Sequence, residues 1–108
     1  MPARAVVEAR ALTDTLGEII DTSTVRPLDV YAVITVRGTL TDYLPTSVNR
    51  YVAAPTTDAT TASFVEQIGA LQTSATATLE AIQRQDADAL MTQGNFLRTK
   101  FSGSDLDL

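Results

Sequence analysis

Cysteine and histidine are both absent from this chain of 108 residues, and each absence excludes a group of functions. Without cysteine there is no disulfide and no thiolate nucleophile, and without either residue there is no Cys/His zinc site. A Ser-His-Asp triad is excluded because its general base is missing. The sequence therefore predicts no catalytic residues, no cofactor and no metal site.

Basic residues are also few, since 8 Lys and Arg stand against 13 Asp and Glu, which gives a net charge of −5. They are scattered from Arg4 to Lys100, whereas binding to phosphates requires clustered basic side chains. We therefore expect no nucleic-acid partner and no attachment to an anionic membrane surface.

Long apolar runs are missing as well. The longest, Val30 to Val36, is broken by Thr35 and falls short of the roughly 18 residues that a membrane-spanning helix requires. The first residues of the chain lack the apolar stretch of a signal peptide. These features predict a cytoplasmic protein without direct membrane insertion.

The length and the hydrophobic fraction of 44% fit one globular domain that spans residues 1–108. A chain of this size buries roughly 65% of its unfolded surface, which suffices for one core. Residues 103–108 begin with glycine and are acidic, and we expect a disordered tail there.

Three segments have the apolar spacing of three and four residues that is typical of an amphipathic helix. The first extends from about Ala3 to Thr22. The clearest contains Phe64 and Ile82, and we expect its start to be capped by Thr60 or Thr61, or by a capping box of Ser63 and Glu66. The last begins at a cap, Asp86 or Asp88, and extends to about Phe101; its Gly94 predicts a close approach between helices.

The stretch from Leu28 to Leu44 has the β-branched and aromatic composition of a strand. Its apolar spacing, however, persists longer than a strand, and the chain offers no second strand to pair with it. We therefore predict a helix, which Pro45 interrupts or restarts.

Together these elements predict an all-α fold, an antiparallel helical bundle of about four helices with a proline-broken helix near the middle. The core is expected to contain the apolar residues that share these helix faces. These are Leu12, Leu16, Ile19, Ile34, Leu40, Phe64, Ile68, Leu71, Leu79, Ile82, Leu90, Leu97 and Phe101.

Carboxylates are the main acid–base groups that the chain offers. Asp86 and Asp88 stand close together, but capping a helix explains them sufficiently. Asp14, Glu18 and Asp21 share a helix face, which is typical of a solvated surface rather than of a calcium loop. These patterns give no support to catalysis.

The most unusual cluster lies at the predicted helix break, where two tyrosines and a proline stand within nine residues. Aromatic side chains with polar tips favour interfaces, so this corner is a candidate interaction site. The alternative is a helix corner whose tyrosines pack on the core and bond their hydroxyl groups nearby. The candidate residues are Tyr43, Leu44, Pro45, Arg50 and Tyr51.

Several short motifs between residues 28 and 101 occur in an order that resembles a helical domain of actinobacterial proteins. They are Asp42-Tyr43-Leu44-Pro45, Tyr51, Pro55, Glu66-Gln67-Ile68 with Leu71, Asp86-Ala87-Asp88-Ala89-Leu90, and Asn95-Phe96-Leu97 with Lys100-Phe101. The pattern is also similar to the C-terminal helical part of the 5-bromo-4-chloroindolyl phosphate hydrolysis family. The resemblance implies a part of a membrane-associated or envelope-stress protein, without established catalytic residues.

Two functions remain open from the sequence. The first is a non-catalytic helical interaction or scaffold module that binds a protein partner or associates with itself. The second is a small-molecule-binding or weakly hydrolytic domain with a pocket between helices. A buried pocket lined by tyrosine and a carboxylate would favour the ligand, and an exposed apolar patch would favour the partner. A small type VII secretion substrate is a third reading, but its Trp-x-Gly turn is absent because the chain has no Trp.

Overall fold

The computed structural model describes residues 2–102, of which 87% are helical. The α-helices are α1 (Ala3–Ser23), α2 (Val30–Gly38), α3 (Leu44–Ala53), α4 (Asp58–Arg84) and α5 (Ala87–Leu97). A π-helical turn, Thr39–Tyr43, joins α2 to α3, and a second one, Arg98–Ser102, follows α5. The described residues contain no strand, so the predicted all-α bundle and the helical assignment of residues 30–44 are confirmed.

The helix starts are fixed by side-chain caps, because the first backbone N–H groups of a helix lack partners within it. The N-cap of α4 is Thr57, which forms a reciprocal capping box with Thr60, so the expected caps at Thr60, Thr61 or Ser63 were wrong. Asp86 caps α5 as predicted, since its Oδ1 accepts a hydrogen bond from the Ala89 N–H at 3.0 Å.

The segment Thr39–Tyr43, called the π segment below, accommodates Pro45 without ending the helical run. The Leu44 N–H donates to the Thr39 carbonyl, five residues earlier, so the helix widens by one residue there. Proline has no N–H to donate and its ring clashes with the preceding turn of a regular helix, and a locally wider turn relieves the clash. The predicted interruption at Pro45 therefore takes the form of a π-helical turn.

The two longest helices, α1 and α4, run in the same direction. Gln72 Nε2 of α4 donates to Thr15 Oγ1 of α1 at 3.0 Å, and Arg26, after the end of α1, donates to the Ile82 carbonyl near the end of α4. The helix α5 returns against α4, where Ser74 Oγ donates to Gln93 Oε1 at 3.0 Å. The helix α2 packs on α5, and α3 on the beginning of α4. The bundle is flat, with principal extents of 43 × 32 × 17 Å, and α4 is central.

Most of the predicted core is buried as expected. The buried members are Leu12, Leu16, Ile19, Phe64, Ile68, Leu71, Ile82, Leu90 and Leu97, and Leu79 and Phe101 are partly buried against them. Ile34 and Leu40 are exposed instead, so their assignment to the core was wrong. The expected tail at residues 103–108 lies outside the described residues.

Candidate interaction surface

Tyr51, from the predicted interaction corner, lies in the core. Its ring stacks on Phe64 with centroids 4.6 Å apart and an interplanar angle of 16°, and only 6% of the residue is exposed. The hydroxyl group forms a hydrogen bond with Thr61 Oγ1 at 3.0 Å. Tyr51 thus matches the alternative that we considered, a tyrosine that packs on the core and bonds its hydroxyl group nearby.

The other corner residues are less deeply placed. Tyr43 is half-buried and packs against Phe101, with ring centroids 5.4 Å apart. Leu44 is partly buried against the core, Pro45 is half-buried in the first turn of α3, and Arg50 is exposed. The corner therefore offers the edge of one aromatic ring and a guanidinium group at its surface, without the convergence of two tyrosines.

A larger apolar surface lies on α2. Four of its neighbouring apolar side chains are exposed and together form what we call the α2 face. They are Val30 (61% exposed), Ile34 (57%), Tyr31 (38%) and, in the adjoining π segment, Leu40 (40%). Val30, Tyr31 and Ile34 lie within about one helical turn of each other, and Leu40 lies beside the groove toward α1. Clustered exposed apolar side chains mark interaction sites more often than isolated ones do.

The opposite side of this helical run buries small residues because α2 approaches α5 closely. Ala32, Thr35 and Thr39 are buried there, and a Cβ added to Gly94 would lie 3.3 Å from Thr35 Oγ1. The close approach that Gly94 predicted is therefore confirmed. Large side chains do not fit between helices this close, so they lie on the outside of α2.

The π segment explains why Leu40 lies outside. In an uninterrupted α-helix, Leu40 would precede Leu44 by four residues and share its face. The π-helical hydrogen bond from the Leu44 N–H to the Thr39 carbonyl shifts the register by one residue, so Thr39 is buried in that position. One residue corresponds to a rotation of about 100°, which turns Leu40 out of the core.

This surface could have been recognised from the composition of α2. The stretch Val30 to Val36 is apolar except for Thr35, so it has no polar side to give to solvent. A helix that is apolar all round is normally covered on all sides. In a flat bundle of this size some of that surface remains exposed.

A groove between α1 and α2 adjoins the α2 face. Its volume is about 450 Å³, and Ile20, Leu28, Val33, Val36 and Leu40 supply most of its apolar lining. The guanidinium-bearing Arg37 stands at the same groove. The apolar surface thus continues from the crest of α2 toward α1.

A smaller pocket of about 120 Å³ lies between α2 and α5. Tyr31 and Tyr43 both line it, together with Asn95 and Arg98, and its described lining includes no carboxylate. Thr35 also lines this pocket; it is 4% exposed, and its buried Oγ1 has no hydrogen-bond partner. Of the combination that would favour ligand binding, the pocket therefore has the tyrosines but not the carboxylate.

Within residues 2–102 we found no group of three or more Asp or Glu residues placed to hold a metal ion. Nor does any described helix combine the length and the apolar character needed to cross a membrane. Asp86 is engaged as a helix cap rather than paired with Asp88. The geometry that stands out is therefore an apolar surface.

Comparison of the chain with models of known protein families, with characterised proteins and with solved structures found no match. The resemblance to the helical domain described above remains a prediction.

Proposed function

We propose that this protein is a non-catalytic helical interaction module that binds a protein partner through the α2 face. The observation that carries the proposal is the exposure of Val30 and Ile34 on α2, a helix whose one charged residue is Arg37. Full burial of such a side chain contributes about 1.5–3 kcal/mol, so covering the exposed 57–61% of Ile34 and Val30 contributes roughly 1–2 kcal/mol each. A partner that buries the α2 face would therefore gain substantial free energy without any rearrangement of the bundle.

Part of the candidate corner belongs to the same surface in this proposal. Tyr43 adjoins the α2 face, because it lines one pocket together with Tyr31 and Ile34. Arg50 lies beside Gln67 of α4 instead, so it is not part of this surface. Apolar centres with a polar rim are the usual composition of protein interfaces. Tyr51 supports the surface from the core rather than contacting the partner.

The family resemblance supports the same function, because the domain that it resembles has no established catalytic residues. We include in the proposal a cytoplasmic location and a role beside a membrane-associated or envelope-stress protein. Both rest on the sequence alone.

The experiment that tests this function is site-specific photo-crosslinking. A photoreactive phenylalanine analogue is placed at position 34, and the protein is irradiated in an extract of its source cells. The control carries the analogue at position 52, because Val52 is 70% exposed on α3 but lies outside the α2 face. We expect defined protein adducts from position 34 and none from position 52. Equal, diffuse labelling from both positions would disprove the proposal.

A second candidate function, binding of a small molecule between helices, is favoured by one observation. Thr35 carries a buried hydroxyl group without a partner beside the pocket of about 120 Å³. Because Tyr31 and Tyr43 line the pocket beside this hydroxyl group, a small phenol is the class of ligand whose ring and hydroxyl group would both find partners there.

Phenol is accordingly the probe, and its binding is followed by amide chemical shifts. If the pocket binds it, shifts should concentrate on α2 and α5, and Thr35→Val, which removes the hydroxyl group at equal volume, should weaken binding about tenfold. Shifts that are absent, or unchanged by Thr35→Val, would eliminate this second function.

A further inference from the structure

The ends of the α2 face carry charges of opposite sign. Asp29 is the N-cap of α2, where its Oδ1 accepts a hydrogen bond from the Tyr31 N–H at 2.8 Å, and Arg37 stands in the last turn. Both side chains are exposed. In the part of the chain that the structure describes, the Arg37 guanidinium group forms no ion pair. The α2 face is therefore an apolar strip with one negative and one positive end.

The strip on one copy of the chain is complementary to the strip on a second copy that runs in the opposite direction. Ile34 lies five residues after Asp29 and three before Arg37, which corresponds to about 7.5 and 4.5 Å along the helix. A twofold axis near Ile34 would place Arg37 of one copy near Asp29 of the other, and the same pair would form a second time. A parallel arrangement would instead place Arg37 against Arg37.

The inference rests on the proposed function and names its partner. We propose that the partner is a second copy of this chain, packed with α2 against α2 in antiparallel orientation across a twofold axis. The interface is isologous, so every apolar side chain of the α2 face is buried twice.

The charge of the whole chain supports this choice of surface. The chain carries −5, so two copies repel each other over most of their surfaces. Asp29 and Arg37 cancel each other on the α2 face, which makes it a place where two acidic copies can meet without that penalty. The groove of about 450 Å³ beside Leu40 provides room for side chains of the second copy at the edge of the contact.

Sedimentation equilibrium on the purified chain tests the dimer directly. We expect a species of twice the chain mass of 11.5 kDa. Ile34→Asp should weaken the dimer by at least about 100-fold, because the twofold buries the new carboxylate twice. Val52→Asp, an exposed position on α3, should dimerise like the parent chain. A parent chain that remains monomeric at about 0.2 mM would overturn the inference, and so would an Ile34→Asp variant that dimerises equally well.

Two further variants test the orientation. Arg37→Glu should weaken the dimer about tenfold by placing a second carboxylate against Asp29 of the other copy, and adding Asp29→Lys should restore it. Thermal melts confirm that each variant is folded, since Asp29→Lys also removes a cap. An Asp29→Lys/Arg37→Glu variant that is folded but weaker than Arg37→Glu would overturn the antiparallel arrangement.

Disulfide formation supplies an independent readout, because the parent chain contains no cysteine. Ile34→Cys near the axis should form a covalent dimer under mild oxidation, whereas Val52→Cys should not, since bridged Cα atoms must lie about 4.4–6.8 Å apart. Equal crosslinking of both variants would contradict the proposal. If position 34 yields photo-adducts only with a different protein in cell extract, the proposed interaction function is supported, but the proposal that the partner is a second copy of this chain is wrong. If it yields none, both proposals fail.

Discussion

Gln85 adopts the left-handed conformation directly after α4, with φ 57° and ψ 42°. Its N–H donates to the Ile82 carbonyl at 3.1 Å, and the Asp86 N–H donates to the Ala81 carbonyl at 2.8 Å. These two bonds close the helix end in a Schellman arrangement, whose left-handed position is usually occupied by glycine.

Gln85→Gly should therefore stabilise the protein, by about 0.5–1 kcal/mol, because glycine adopts this conformation without a steric cost. The control is Gln83→Gly, two residues earlier inside α4, which should destabilise by about 1 kcal/mol. Urea unfolding measures both changes. Equal effects of the two substitutions would mean that the left-handed conformation does not govern this helix end.

Tyr51 supplies a second test on the scale of one residue. Tyr51→Ala removes a ring that stacks on Phe64 and should cost about 3–5 kcal/mol. Tyr51→Phe keeps the ring but leaves Thr61 Oγ1 buried without its partner, at about 1–2 kcal/mol. Thermal melts distinguish this from a surface role, in which both variants would melt like the parent chain.

Among the elements, α4 and α2 show what the sequence can predict and what it cannot. Phe64, Ile68 and Leu71 repeat on one side of α4 and alternate with polar residues, so their pattern alone identifies the buried face. The helix α2 is apolar on all sides, so its spacing contains no information about which side is buried. That choice is made by its neighbour, since Gly94 admits only small side chains such as Thr35.

The residues of the candidate corner could be recognised from the sequence, but their burial could not. Tyr43 and Tyr51 were recognisable as an unusual pair, but their depth depends on Phe101 and Phe64, which are distant in sequence. Periodicity describes one helix at a time, and contacts between helices are not contained in it. The α2 face could instead be recognised from composition, because Val30 to Val36 is apolar except for Thr35.

The contact of α2 with α5 leads to a prediction on the scale of elements. Gly94→Ala places a Cβ 3.3 Å from Thr35 Oγ1, a tight contact that should offset the roughly 1 kcal/mol that alanine gains over glycine inside a helix. Gly69→Ala should stabilise by about 1 kcal/mol, because it also lies inside a helix but has open space around the new methyl group. Chemical denaturation compares the two. Similar gains in both variants would show that α2 does not approach α5 this closely.

At the scale of the whole molecule, stability should come from packing alone. All five α-helices contribute to one apolar core. Residues 2–102 contain no cluster suited to a metal ion. EDTA should therefore leave the melting temperature unchanged, and calcium or magnesium added in excess should not raise it. A reproducible loss of melting temperature in EDTA would reveal a carboxylate cage.

The π segment makes the length of the helical run from Val30 to Ala53 critical. Deletion of Thr41 would place Thr39 four residues before Leu44, so the wide turn would become a regular α-helical turn and α2 would keep its orientation relative to α3. Thr39 would remain buried and Leu40 exposed, but the regular turn would bring back the clash of the Pro45 ring with the preceding turn, at a cost of about 3 kcal/mol. Deletion of Thr56, in the loop before α4, changes no helix register and should be tolerated far better. Thermal melts of the two shortened chains would compare them, and insertions and deletions in this protein should accordingly be confined to its loops.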